Sequence, residues 1–418
     1  MVATLETRTH IEAEPEDVGL SSRKLGNISR LVQGYVDDKK IAGAITAVGR
    51  HGKIVHFETY GKMDEEAGKE MRPDTIFRIY SMTKPIASVA LMTLYEEGRF
   101  QLDDPASKFI PEWKNLKVFI GGTADDPDLR APQREMSVRD LLMHMSGLPG
   151  LAGGGPTAEL FQRAGVRGLG QEGNHTLRDA VQKLVNVPLQ FDPGTKWNYG
   201  MSTDIVGYLC EVISGQSFDA FVRERITEPL GMVDTAFTVP AHNVDRFAAC
   251  YRRGQKDEPL YVLQDAPGDS AYTRPKSYFS GAGGMVGTTA DYIRFCKMLA
   301  NGGELDGVRI LGPRTVEFMA TNHLPGGGDM ASIGMSSFNE TTMEGIGFGL
   351  GFAVLMDPAK AQVLGTPGEY YWGGAASTAF FVNPKEDLFV VYMTQLLPSS
   401  AYPIRRELRI CTYQAIID

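Results

Sequence analysis

Ser81 and Lys84 stand three residues apart in RIYSMTKPIASVALMTLYEEG, where an apolar helix begins. A serine hydroxyl is a poor nucleophile until a neighbouring group takes its proton. A lysine can take it only as the neutral amine, a form that burial and nearby positive charge favour. If Ser81 opens the helix, Lys84 lies about one turn further on and on the same side, so the two side chains can meet. The free amides of a helix start also favour negative charge developing there. Pro85 fits a first turn, which tolerates a missing N–H. The spacing alone is equally that of a helix cap followed by a solvated lysine, so the rest of the chain must decide.

The elements that would hold such a pair can be read in outline. Residues 1–20 are polar and acidic and read as an arm. Leu25, Ile28, Leu31, Val32 and Val36 recur at helical spacing. AGAITAVGRHG and KIVHFETYG read as two strands, with a hairpin turn over residues 50–53. A helical region is expected from Ser81 to about Gly231. Within it Ser137 and Asp140 make a capping-box pattern ahead of a helix that Gly147 and Pro149 should stop. Thr176 opens TLRDAVQKLV, and Gly215 should stop STDIVGYLCEVISG. The glycine-rich stretch 147–174 predicts a long mobile loop with one helical turn, a pocket wall together with residues 266–280. Near the end, AASTAFFVNPKEDLFVVYMTQ reads as a second hairpin and YPIRRELRICTYQAII as an amphipathic helix. The strands at the two ends are too few for separate sheets, so they are expected to pair in one antiparallel sheet under the terminal helices.

Composition narrows the function classes. The chain's 418 residues suffice for about two or three domain-sized units. A net charge of -9 without a dense basic run argues against a nucleic-acid partner. Cys210, Cys250, Cys296 and Cys411 are far apart and fit no metal spacing, so they are expected to be buried free thiols. The opening MVATLETRTHIEAEPEDVG has no apolar run of the secretory kind, and no stretch reaches the ~18 apolar residues of a membrane span. Cytoplasmic location and no membrane partner are the expectations. Gly-x-Ser-x-Gly and His-Glu-x-x-His are both absent from the sequence, and none of the seven histidines sits in a triad-like context. His144, in an apolar pattern, is expected to be packed or hydrogen-bonded.

DTIFRIYSMTKPIASVALMTLYEEGRFQLDDPASKFIPEW resembles the active-site segment of serine β-lactamases and penicillin-binding proteins, whose Ser-x-x-Lys is a signature. MSVRDLLMHMSGLPG, FDPGTKWNYGMSTDIVGYLCEVISG and AGGMVGTTADYIRFCKMLANGG resemble later landmarks of the same family, in order. The resemblance implies an α+β, β-lactamase-like fold. Its parts would be an arm (1–20), an α/β subdomain with an antiparallel sheet (21–75 and 280–418) and a mainly helical subdomain (76–279), with the site in the cleft between them. It also implies that Ser81 is the nucleophile and that Tyr199, in KWNYGM, is a second proton carrier beside Lys84. A phenol of pKa near ~10 needs adjacent positive charge for that task.

Two landmarks depart from the β-lactamases. Where these have Tyr-x-Asn, this chain has Gly200 and Met201, and Met201 cannot donate the bond by which that asparagine holds a substrate amide. Where they have Lys-Thr-Gly, it has Trp372, Gly373 and Gly374, which resembles the family VIII carboxylesterases. Trading lysine for tryptophan removes a charge-assisted bond to a substrate carboxylate, worth about 1.5–3 kcal/mol, and adds an apolar wall. Gly373 and Gly374 are expected to let substrate approach the strand backbone. Tyr80, Met201 and Trp372 are expected to contact it. By the family match, the N–H groups of Ser81 and Ala375 would form an oxyanion hole. The implied activity is a cofactor-free serine carboxylesterase of short- to medium-chain neutral esters, with weak cephalosporin hydrolysis. The alternatives are a class C-type β-lactamase or DD-peptidase, an acyltransferase to an alcohol, and a non-catalytic binding protein on the same scaffold.

Overall fold

The computed structural model describes residues 10–149, 154–166, 175–334 and 343–418. Helix α1 (Asn27–Asp37) turns Ile28, Val32 and Tyr35 inward, as their spacing requires. It leads into β1 (Gly43–Arg50), β2 (Lys53–Asp64) and the two-residue β3 (Lys69–Glu70). Strands β1 and β2 meet at the pair Arg50–Lys53. The two residues between them, His51 and Gly52, have φ of 51° and 71°, the positive values a two-residue hairpin with right-handed strand twist demands.

The remaining strands of the sheet come from the other end of the chain: β4 (Ile346–Phe348), β5 (Ala353–Leu355), β6 (Tyr370–Gly373), β7 (Ala379–Asn383) and β8 (Leu388–Thr394). The order is β4-β5-β6-β7-β8-β1-β2-β3, and every neighbouring pair is antiparallel. Pairing β8 with β1, Ala44 opposite Thr394, closes the two ends of the chain into one sheet. β1 and β8 are buried along their whole length, because both faces are covered. Ala44, Val48, Val390 and Tyr392 pack on one side with α1, and Ile45, Ala47, Val391 and Met393 pack on the other with the helical region.

That helical region is built around α2 (Thr83–Glu96), buried from Thr83 to Leu94, as a helix apolar on every side must be. Around it lie α3 (Val138–Leu142), α4 (Leu177–Leu184), α5 (Ser202–Ser214) and α6 (Thr289–Ala300). Capping boxes open α3 and α4: Ser137 with Asp140, and Thr176 with Asp179. Gly215, at φ 78°, ends α5 in the left-handed cap. The closing helix α7 (Ile404–Tyr413) lies on the α1 side of the sheet, burying Ile404 and Leu408.

Several expectations need correction. The stretch expected to be helical contains a β-hairpin, Val118–Gly122 with Pro127–Arg130. Its outward residues, Ile120 among them, carry no core-facing pattern to betray it. Helix α3 stops at Met143, before the glycine, because His144 takes φ 57°. The 147–174 stretch holds a two-turn helix, Pro156–Arg163. The expected mobile loop otherwise falls at 150–153 and 167–174, outside the described residues. Residues 10–20 are not a free arm, since Val18 and Leu20 are buried under the terminal helices.

Candidate active site

Ser81 does not sit on the α-helix itself but on the 3-10 turn Tyr80–Met82 that runs into α2. The turn is held on both sides. The strand pair Ile76–Arg78 with Val286–Thr288 delivers the chain to it, and Ile79 N donates to Met285 O at 3.2 Å. Behind it, Tyr292 Oη donates to Met82 O at 3.0 Å, and Met285 N donates to Thr83 Oγ1 at 3.2 Å. Tyr80, directly before the serine, has φ of 43°, a value that non-glycine residues avoid.

Lys84, 4% exposed, places Nζ 3.2 Å from Ser81 Oγ and donates to Ala282 O at 2.6 Å. The carbonyl fixes the amine beside the hydroxyl instead of leaving it to wander. Tyr199 comes from the turn ahead of α5. Lys84 Nζ lies 4.5 Å from its ring centroid, and the Trp372 indole N–H donates to its hydroxyl at 3.4 Å. Ser81, Lys84 and Tyr199 thus come together on one side of a cavity of about 770 Å³, with Tyr80, Trp372, Gly373, Gly374 and Ala375 also lining it. Trp197, Ile346, Val363 and Phe380 supply apolar wall.

One group beside the trio escaped sequence reasoning, and a second was read only as packed or hydrogen-bonded. Asp204, one turn into α5 from Tyr199, is 2% exposed and lines the cavity. It accepts from Ser280 Oγ at 2.6 Å and from Ala282 N at 3.1 Å. Ala282 thus gives its N–H to the carboxylate and its carbonyl to Lys84. Burial pushes the Asp204 carboxyl above its usual range, opposed by these two donors and by the Lys84 charge. In sequence it passed for an ordinary first-turn acid. The available signal was a carboxylate inside a helix apolar on almost every side. His144 is the second. Its ring lies 5.0 Å from that of Tyr199 and 6.1 Å from that of Trp197. Burial and then the Lys84 charge hold its imidazole well below the usual histidine range. Nε2 is 3.4 Å from Thr203 Oγ1, and Nδ1 has no hydrogen-bond partner among the described residues.

The opposite wall is the end of β6 and the connection to β7. Gly374 N donates to Thr378 O at 2.8 Å and Ser377 N to Gly374 O at 3.1 Å, closing a tight turn. Ser377 takes φ 70° within it. The Ala375 N–H donates to no protein acceptor among the described residues. Both glycines line the cavity, and neither has room for a side chain. A Cβ on Gly373 would lie 2.8 Å from the Arg405 guanidinium carbon, and one on Gly374 would lie 2.5 Å from Ile79 O. Both spaces are already filled by protein. Met201 needs correction: it is 1% exposed, packed in the core at the start of α5, and absent from the cavity lining. Residues 266–280 do not line the cavity either; Gln264 and Ala282, on their flanks, do. Among the described residues, no cluster of three or more His, Cys, Asp or Glu side chains is placed to hold a metal ion, and no helix is long and apolar enough to cross a membrane.

Residues 28–413 match the family model described as Beta-lactamase. Esterase EstB of Burkholderia gladioli is 32% identical over 374 residues, which are 85% of this chain and 86% of that protein. Among solved structures, EstCE1, described as a hydrolase with promiscuous acyltransferase activity, is 25% identical with a TM-score of 0.76, over 94% of this chain and 99% of its own. Simvastatin synthase LovD of Aspergillus terreus superposes with a TM-score of 0.77 at 21% identity, over 95% of this chain and 98% of its own, a likeness of fold.

Proposed function

This chain belongs to the beta-lactamase family and is a serine β-lactamase-like hydrolase, and from that premise we propose that it is a carboxylesterase of short- to medium-chain neutral esters. Ser81 Oγ attacks the ester carbonyl carbon. As that bond forms, the hydroxyl proton passes to the Lys84–Tyr199 pair. The N–H groups of Ser81 and Ala375 take the negative charge on the carbonyl oxygen. Collapse breaks the bond to the alkoxy group, which leaves as the alcohol with a proton from Tyr199. Water then attacks the acyl-serine with the same pair as base. The carboxylic acid leaves and Ser81 regains its proton.

The observation that carries this reading is the amine of Lys84, buried, tethered to Ala282 O and 3.2 Å from the serine hydroxyl. The ester preference is supported by Trp372, which stands against Tyr199 where the lactamases carry a carboxylate-binding lysine. EstB, an esterase by name, supports it as well. Wild type should hydrolyse p-nitrophenyl butyrate far faster than nitrocefin, and Ser81→Ala should lose the ester activity by at least about 10³-fold. Retention of wild-type turnover by Ser81→Ala would refute the assignment. A preference for nitrocefin would move the protein to the lactamase reading.

A second reading, acyl transfer to an alcohol, is favoured by EstCE1's description. Product analysis with added 1-butanol separates the two: butyl butyrate marks transfer, butyric acid alone marks hydrolysis.

A further inference from the structure

We propose that Arg405 is a positioning residue for the oxyanion hole, acting through the peptide bond between Gly374 and Ala375. The proposal rests on Ala375 being an oxyanion donor, as read above. Arg405 Nη2 donates to Gly374 O at 2.6 Å and to Thr378 O at 2.8 Å. Those carbonyls flank the connection that carries Ala375. The Gly374 carbonyl and the Ala375 N–H are opposite ends of one planar peptide unit. A guanidinium fixed on the oxygen therefore sets the direction of the N–H. It also polarises the amide, which makes that N–H a stronger donor to a developing oxyanion.

Three further observations converge on the same arrangement. The outer side of the turn is tied elsewhere: Leu396 N donates to Ala376 O at 3.1 Å, and Ser377 Oγ donates to Leu396 O at 2.7 Å. Arg405 supplies the matching clamp on the strand side. Gly373 is the socket for it, since a Cβ there would lie 2.8 Å from the guanidinium carbon. This gives the middle residue of the Trp-Gly-Gly run a packing purpose. Finally, Arg405 lies in the first turn of α7, where the helix dipole disfavours a cation. Helix stability does not call for arginine at this position, whereas the two carbonyls do.

The test is steady-state hydrolysis of p-nitrophenyl butyrate, normalised to active sites titrated with a fluorophosphonate. Arg405→Ala should lower kcat about 10–100-fold, the range for a misplaced or weakened donor, with KM changed less than about threefold. Arg405→Lys should recover part of the loss, and guanidinium ion added to Arg405→Ala should restore turnover, because residue 405 lines the cavity. Gly373→Ala, whose methyl would press on the guanidinium and, at 2.8 Å, on Thr378 O, should reproduce the defect. If Arg405→Ala does not fold, Arg405→Lys and Gly373→Ala carry the same comparison. An unchanged kcat per titrated site would overturn the proposal, as would a loss that neither lysine nor guanidinium relieves. Ala375→Pro, which deletes the N–H, is the separate control. If it keeps full kcat, the oxyanion assignment itself fails. If it alone is defective, only the role of Arg405 does.

Discussion

On the helix wall of the cleft, Ser81 and Lys84 are three residues apart, and a single carbonyl, that of Ala282, tethers the amine. On the strand wall, the stretch from Trp372 to Ala375 is shaped by Ile79, Thr378 and Arg405. The first wall takes the Ser81–Lys84 spacing from local sequence, although the 3-10 turn that carries Ser81 is itself held by Met285 and Tyr292. The second gets its geometry from filled space and from a side chain some thirty positions further along. A helix start tolerates changes among its neighbours as long as the pitch persists. A turn held by contacts does not, because each contact comes from a different part of the chain.

Substitutions can break or sharpen that contrast. The largest effect is expected for Lys84→Met, which removes one half of the proposed base pair and leaves the Ala282 carbonyl without its Lys84 donor. Ester turnover should fall by at least about 10³-fold, close to the Ser81→Ala value, since groups acting as a unit do not add. A double variant no worse than either single one would show that unity. Next comes Gly374→Ala on the strand wall. The new methyl would fall 2.5 Å from Ile79 O and against Thr378 Oγ1. Thermal and urea unfolding should report a loss of about 1–3 kcal/mol, as overpacking usually brings. Turnover should drop with it; undiminished activity would mean that this wall is as tolerant as the other.

The smallest effect concerns the packing beneath the helix wall. The His144 imidazole is held neutral in the folded protein by burial and by Lys84, whereas an unfolded chain protonates it below about pH 6.5. Above that pH the residue adds no dependence. As pH falls below it, the unfolded state binds a proton that the folded state refuses, so stability declines by up to about 1.4 kcal/mol per pH unit until the folded value is reached. His144→Asn, whose short side chain accepts a φ of 57°, should flatten the curve between pH 6.5 and 5 by that slope. Urea titrations at several pH values would measure it. An unchanged slope would assign the acid sensitivity to His56 or His323, whose rings are also lowered by burial.

What could be read in advance follows the same division. The sheet joined from both chain ends was legible, because apolar period and caps are properties of neighbouring residues; the β-lactamase-like α+β fold and the gathering of Tyr199 with Ser81 and Lys84 were what the family resemblance implied. The hairpin at 118–130 was not, since its outward side chains carry no core signal. Asp204 and Arg405 were missed for a related reason. Each looks like an ordinary charged residue in a first helical turn, and only the fold brings one to Ala282 and the other to Gly374. Met201 was misplaced because it stands where the family's Tyr-x-Asn motif has its substrate-holding asparagine. The start of α5 turns it into the core instead.

Tyr80 holds its backbone at φ 43° immediately before the nucleophile, a posture that costs a side-chain-bearing residue on the order of 1–2 kcal/mol. Glycine would adopt it freely, whereas the tyrosine must offset that cost through its ring contacts. Its ring rests edge-on against Tyr272, with centroids 6.3 Å apart, and reaches the cavity. The hydroxyl next to it is therefore aimed by a loaded spring rather than by a relaxed turn, and the tension is locked in when the chain folds, before any ester arrives.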